Sequence, residues 1–331
     1  VKKLQTYGNF MHGTHVAGIA AEGARAAEIM AVKLIPTEVK LPGEENENQK
    51  GLGSWLVKKG LGVLAKQQSK VLVEIGDYVG NHDIDVANGS FGTGYTQATT
   101  IVKQIFQKIL RREPTKKELK STAKHFINEL VKNVKEMATI SKDTLFVFAA
   151  GNDGRNNDKF PTSPSNIQAK NVISVAATLG RRKLASFSNY GEKMVDVAAP
   201  GVAIKSAVPG GNYLRVSGTS QASPYVANIA AKVKETNDEL TPHQIKKIIM
   251  GTVDKKGFLE GMVKTAGVVN GPRALQAARL AQGQDLKDAI AEANQSVDDV
   301  STKSTLKGLG PVRDLPKGIV QPLPSLFKIK K

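Results

Sequence analysis

Gly218-Thr219-Ser220-Gln221-Ala222-Ser223-Pro224 stands between two different backbone patterns, and that change sets the kind of fold the chain can adopt. Upstream, Tyr213-Leu214-Arg215-Val216 has the apolar and β-branched character of a short strand end, and Ser217-Gly218-Thr219 supplies turn chemistry. Downstream, Ala222, Tyr225, Val226, Ile229, Ala230 and Val233 recur at helical spacing, which predicts a helix over residues 220–236. Pro224 is expected in its first turn, where the backbone N–H groups have no intrahelical partner. A serine at such a junction faces the positive end of the helix dipole, where N–H groups favour the negative charge that develops in acyl transfer. The same position also suits a plain Ser/Thr cap of a buried helix.

Two further stretches bear on that choice. His12-Gly13-Thr14-His15-Val16-Ala17-Gly18 reads as a Gly-containing turn that leads into small residues able to lie close against a sheet. A nucleophilic serine needs a general base, and imidazole titrates near neutral pH. A structural histidine, or a metal pair from His12 and His15, also fits the spacing. The metal reading lacks further ligands, since there is no Cys and His82, His125 and His243 stand apart. Leu145-Phe146-Val147-Phe148-Ala149-Ala150 is the continuous apolar run of a buried parallel strand, and it ends in Gly151-Asn152-Asp153-Gly154. An Asn just past a strand can aim its N–H at an oxyanion, and it can equally occupy an ordinary turn.

Together these stretches resemble the subtilisin-like serine peptidases, the subtilases. The family's histidine motif is matched by residues 12–18 and its Ala-Gly-Asn motif by Ala150-Gly151-Asn152. Its Gly-Thr-Ser-Met-Ala-x-Pro motif is matched from Gly218 to Pro224 with one departure, Gln221 in place of Met. Val86-Ala87-Asn88-Gly89-Ser90-Phe91-Gly92 resembles the substrate-lining strand, and Phe187-Ser188-Asn189-Tyr190-Gly191 agrees as well. The likeness runs in order over roughly residues 8–282.

The resemblance implies a three-layer α/β, subtilisin-like fold: a mostly parallel sheet with helices on both faces. It implies a serine endopeptidase with Ser220 as nucleophile, His12 as general base and Asn152 in the oxyanion site. It also implies substrate binding by Ser90, Phe91, Gly92, Ala150, Gly151 and Asp153, where Asp153 would favour a basic P1 residue. The chemistry requires no cofactor. Structural calcium is common in the family, but none of its positions carries over residue by residue. Protein or peptide substrates and a secreted or periplasmic location follow from the same likeness.

One departure is large. The family's triad includes an aspartate on a strand upstream of the histidine, where it holds the imidazole in the right tautomer. No Asp occurs among residues 1–11, and Asp77, Asp83 and Asp85 are expected at a helix end and a strand start, away from His12. The expectation is therefore a chain that continues upstream, because a parallel sheet without a central strand leaves backbone groups unpaired. The alternative is a pseudo-peptidase or binding module that lacks the aspartate.

The length of 331 residues accommodates a catalytic domain over 1–282, with a helical insertion at about 96–142, and a polar, Pro-containing basic tail over 283–331. With no Cys there are no disulfides, and no 18-residue apolar run predicts a membrane span. The net charge of +17 concentrates in the insertion and in the tail, which carries Pro311, Pro316, Pro322 and Pro324 and ends in Lys328-Ile329-Lys330-Lys331. These cations suit a solvated surface or docking to an anionic surface. Nucleic acid is not favoured, because aromatics make up only 5% of the chain and few lie among the charges. Residues 38–53, with Glu44, Glu45 and Glu47, read as a surface loop. Strands are expected over 28–35, 83–88, 144–149, 171–176 and 196–198, and helices over 13–22, 56–78, 97–112, 116–140, 220–236, 242–250 and 271–281.

Overall fold

In the computed structural model, which describes residues 2–33, 37–38, 54–301 and 327–328, the chain opens with helix α1 (Lys2–Ala20). Strand β1 (Thr37–Glu38) pairs in parallel with the distant β11 (Phe327–Lys328). Helix α2 (Ser54–Gly80) precedes β2 (Val86–Gly89). Next come α3 (Tyr95–Ile105), a π-helical turn at Phe106–Leu110, α4 (Lys116–Ile140) and β3 (Leu145–Ala149). The strands β4 (Val172–Leu179), β5 (Lys183–Leu184), β6 (Val197–Pro200), β7 (Ile204–Val208) and β8 (Asn212–Val216) lead to α5 (Thr219–Thr236). The chain continues through α6 (Pro242–Gly251), β9 (Asp254–Lys255), β10 (Gly267–Val268), α7 (Gly271–Leu280) and α8 (Leu286–Ser296).

The main sheet has the order β2-β3-β4-β6-β10-β9, with β5 hydrogen-bonded to β4. The pairs from β2 to β10 are parallel, while β9 and β5 are antiparallel additions. Every residue of β3 is buried, as its unbroken apolar run requires of a strand covered on both faces. Alternation sorts its side chains. Leu145 and Val147 pack with α5, α6 and α7 through Val226, Ile248 and Ala277. Phe146 and Phe148 face the other way, onto Leu72 of α2 and Val134 and Met137 of α4. The result is the expected three-layer fold, with helices on both faces of a mainly parallel sheet.

The insertion adds a core of its own, in which Leu61 and Leu64 of α2, Ile101 and Ile105 of α3, Phe106, and Phe126 and Ile127 of α4 are buried together. Its second helix starts and stops through side chains. Thr115 accepts from the Glu118 N–H, and the Glu118 carboxylate accepts from the Thr115 N–H, so two orphan donors are satisfied at once. At the other end, Asn171 Nδ2 donates to the carbonyls of Ala138, Ser141 and Thr144, tying α4 to the start of β4.

Most expected elements form within a few residues of their predicted bounds. Three differ. Helix α1 begins at Lys2 rather than at residue 13, because residues 2–11 continue a helix in which Gly8 and Gly13 are tolerated at a cost of about 1 kcal/mol each. The strand expected over 28–35 does not form over its described part, residues 28–33: Ile29, Met30 and Val32 are exposed, and among the described residues β2 pairs only with β3. The stretch after residue 282 begins with α8, which buries Ala289 and Ala293 against the core near α6 and α7. The loop at 39–53 and most of the basic tail, with its four prolines, lie outside the described residues.

A buried charge cluster joins β9 and β10 to the helical layer. Asp254 is fully buried and receives Arg181 at 2.5 Å, Arg273 at 3.2 Å and Asn270 Nδ2 at 2.7 Å. Arg181 also donates to the Val269 carbonyl at 2.7 Å. Removing one member of such a group strands the others without solvent. Asp254→Ala is therefore expected to cost about 3–5 kcal/mol in urea unfolding, against less than ~0.5 kcal/mol for Lys142→Ala in the exposed pair with Asp143.

Candidate active site

Ser220 is the second residue of α5, next to Asn88-Gly89-Ser90 at the end of β2 and Ala150-Gly151-Asn152 after β3. Polar contacts hold the three segments together. Pro224 is the sixth residue of α5, not part of its first turn as expected, so its missing N–H leaves the Ser220 carbonyl without its helical donor. Ser90 Oγ supplies that donor at 2.9 Å, and Ser220 Oγ donates in return to the Ser90 carbonyl at 3.3 Å. Asn88 Nδ2 donates to Ser90 Oγ at 3.0 Å, and Ser223 Oγ donates to Asn88 Oδ1 at 2.7 Å and to the Val147 carbonyl at 3.0 Å. The first turns of α5 are thereby fixed on the ends of two parallel strands.

Asn152 is held from the same helix. Its Oδ1 accepts from the Thr219 N–H at 2.9 Å and from Thr219 Oγ1 at 2.8 Å, while Thr219 Oγ1 accepts from the Gly151 N–H at 3.2 Å. The Nδ2 end of the carboxamide therefore faces Gly218, where a Cβ would stand 3.3 Å from it and 2.8 Å from Gln221 Oε1. A side chain at this position would crowd both groups. Gly151 is constrained as well: its φ is +117°, and a Cβ there would lie 2.3 Å from Asn189 Nδ2. Asn189 organises this loop. It accepts from the N–H groups of Asp153 and Arg155 and donates to the Ala150 carbonyl and to Asn157 Oδ1.

Ala150 and Gly151 are buried beneath this loop, Gly92 is buried beyond Ser90, and Phe91 packs edge-on against Phe148. The Asp153 carboxylate lies against Gly94, the N-cap of α3, where the positive end of the helix dipole favours it.

His12 and His15 are neighbours three residues apart on α1, and His15 is the more deeply buried of the two. Met11, His15 and Ile19 form a buried stripe at helical spacing, and His15 Nε2 meets the Leu214 carbonyl of β8 at 3.1 Å. Gly18 permits β7 to approach, since a Cβ there would meet Ser206 Oγ at 2.4 Å. The carbonyls of Ala20 and Glu22, at the end of α1, accept from Asn228 Nδ2 of α5. His12 sits within the helix rather than in the turn expected from Gly13, and its Nε2 is buried with no hydrogen-bond partner. It is not hydrogen-bonded to Ser220. Burial, and secondly the neighbouring His15, lower its pKa to about 4. Asp85, one of the three nearest downstream aspartates in sequence, lies 3.6 Å from Lys234. No group of three or more His, Asp or Glu side chains suited to a metal ion occurs among the described residues.

Asn189, Ser223 and Thr219 carry the geometry of this site, yet as single polar residues in turns and helix starts they leave no spacing pattern in the sequence. Only their place inside matched motifs marked them.

The Subtilase family model matches residues 4–283. Subtilisin BL of Lederbergia lenta is 28% identical over 263 residues, covering 80% of this chain and 77% of that protein. Alkaline elastase YaB of Bacillus sp. (strain YaB) is 40% identical over 113 residues, a match that spans 34% of this chain and 28% of the elastase. A solved cold-adapted subtilisin-like serine proteinase aligns with a TM-score of 0.44 at 26% identity, covering 78% of this chain and 72% of that one. With a family match across most of its length, the chain belongs to the subtilase family of serine peptidases.

Proposed function

We propose that the chain is a serine endopeptidase that hydrolyses peptide bonds through an acyl-enzyme. Ser220 is the nucleophile, His12 the general base, and Asn152 Nδ2 with the Ser220 N–H the oxyanion donors. The observation that carries this reading is the hold of Thr219 on Asn152 Oδ1, which turns the amide end of that side chain toward the start of α5. In the reaction the Ser220 hydroxyl leaves the Ser90 carbonyl and gives its proton to His12 Nε2. Its oxygen bonds to the substrate carbonyl carbon, whose π pair moves onto oxygen. Collapse expels the amine, which takes the proton from His12, and water repeats the sequence to release the acid. Donors fixed before substrate arrives stabilise the oxyanion without reorganising.

An extended substrate pairs with Ser90-Phe91-Gly92, and its P1 side chain lies between that segment and Ala150, Gly151 and Asp153. The Asp153 carboxylate at this wall favours a basic P1 residue. These steps use no cofactor. Substrates are proteins or peptides, and the site of action is outside the cytoplasm, secreted or periplasmic. No helix among the described residues is long and apolar enough to cross a membrane. Exposed Lys103, Lys117, Lys120 and Lys135 on the insertion suit contact with an anionic surface. Within the insertion Arg112 is already paired with Glu118, and Lys124 lies over the Phe160 ring.

A second reading is a catalytically impaired pseudo-peptidase or binding module. It is favoured by one observation, that His12 Nε2 has no partner and is not joined to Ser220. Labelling with a fluorophosphonate probe separates the two. A competent serine gives a covalent adduct on the 331-residue chain that Ser220→Ala abolishes, whereas a folded chain that does not react supports the second reading. Asn152→Ala is expected to slow peptide hydrolysis by about 10²–10³-fold, the range for losing one oxyanion donor.

The pH dependence of labelling reports on His12. Only the neutral imidazole accepts the proton, so a pKa of about 4 places the acid limb near pH 4. A carboxylate within reach would favour the imidazolium and move that limb upward. A limb at or above about pH 6.5, the unperturbed imidazole value, would mean that His12 has an acidic partner outside the described residues.

A further inference from the structure

Gln221 is an unusual residue for its place. It directly follows the nucleophile, where the family has methionine, it is 1% exposed, and both Oε1 and Nε2 are buried without a hydrogen-bond partner. Leaving a carboxamide donor and acceptor both unsatisfied is costly, and an apolar side chain of similar size would avoid that cost entirely. Such a group is retained where something else uses it.

Its direction identifies the user. One point, the place a Cβ would occupy on Gly218, lies 2.8 Å from Gln221 Oε1, 3.3 Å from Asn152 Nδ2 and 3.6 Å from the Ser220 N. The carboxamide of Gln221 therefore converges on the same face of Gly218 as the two groups assigned above as oxyanion donors. No hydrogen bond holds the Gln221 amide, and turning it end for end brings Nε2 to the position of Oε1. We propose that Gln221 is a third oxyanion donor, its Nε2–H joining Asn152 Nδ2 and the Ser220 N–H around the negative oxygen of the tetrahedral intermediate. This rests on the peptidase reading of the site. The contribution appears only when charge develops, because the neutral carbonyl of a bound substrate gains less from a third donor than the oxyanion does.

The test compares the wild-type chain with Gln221→Met and Gln221→Glu. A peptide aldehyde reports binding of the charged oxygen: Ser220 Oγ bonds to its carbonyl carbon, the π pair moves onto oxygen and His12 keeps the serine proton, which leaves the hemiacetal as its anion. Gln221→Met is expected to weaken the aldehyde about 10-fold and to lower kcat by a similar factor, with KM changed less than about 2-fold. Gln221→Glu, which places a carboxylate where a donor is needed, is expected to lose more. In an Asn152→Ala background the Gln221→Met loss is expected to grow, because two donors serving one oxygen compensate for each other. Thermal unfolding provides the readout that a structural role would move in the opposite direction: Gln221→Met is expected to hold or raise Tm, since it removes two unpaired buried polar atoms. Unchanged aldehyde affinity and kcat in Gln221→Met, or a lowered Tm that accounts for the loss, would overturn the inference while wild-type labelling by fluorophosphonate leaves the peptidase reading standing. A wild-type chain that is folded but neither labelled nor active would overturn both.

Discussion

The carbonyl of Ser220 is the point on which the architecture of this site depends. A proline four residues later cannot donate to it, so the helix by itself leaves a buried acceptor open in its first turn. Ser90 fills that need from the end of β2, and in doing so ties the head of α5 to the edge of the sheet. Ser223 repeats the device one turn along, reaching Asn88 of β2 and Val147 of β3. A defect in one element is thus repaired by another. The repair sets the angle at which α5 meets the sheet, and therefore where the nucleophile stands.

The oxyanion side is built by the same logic. The loop after β3 must turn sharply, which Gly151 allows, and Asn189 satisfies the backbone groups that the turn exposes. With the loop braced, Asn152 has its carboxamide oxygen taken by Thr219 and a single direction left for its nitrogen. The base side is looser. His12 rides on a helix anchored through its neighbours Met11, His15 and Ile19 and through Asn228 at its end, and its own Nε2 has no hydrogen-bond partner. Burial without a charged partner then favours the neutral ring.

Much of this was legible in the sequence, for physical reasons that can be named. The apolar run at 145–150 has one economical solution, a strand covered on both faces, and Thr115 with Glu118 marks the start of α4 through the reciprocal bonds those two residues can make. The head of α5 was legible to within a residue, although the role of Pro224 was not, because it depends on where the helix begins and on a serine 130 residues away in sequence. Helix α8 does carry an apolar stripe, Leu286, Ala289, Ile290 and Ala293 at helical spacing, but it is one short helix inside a stretch whose polar residues and prolines further along read as a tail. The absence of a strand at 28–33 was also illegible, because a strand is made by its neighbour as much as by its own residues, and among the described residues β2 offers it no partner strand.

That free side of β2 bears on how the folded molecule behaves among copies of itself. Among the described residues β2 is the outermost strand of the main sheet, a position that can template strand addition, and the apolar side chains of Ile29, Met30 and Val32 are exposed in the same chain. Three features blunt the hazard. The edge is only four residues long, it ends in glycine, and Asp83 and Asp85 precede it with exposed surface. Short length and negative charge at the entry limit the register in which a foreign strand could align along β2, which makes this strand a poor seed for cross-β growth.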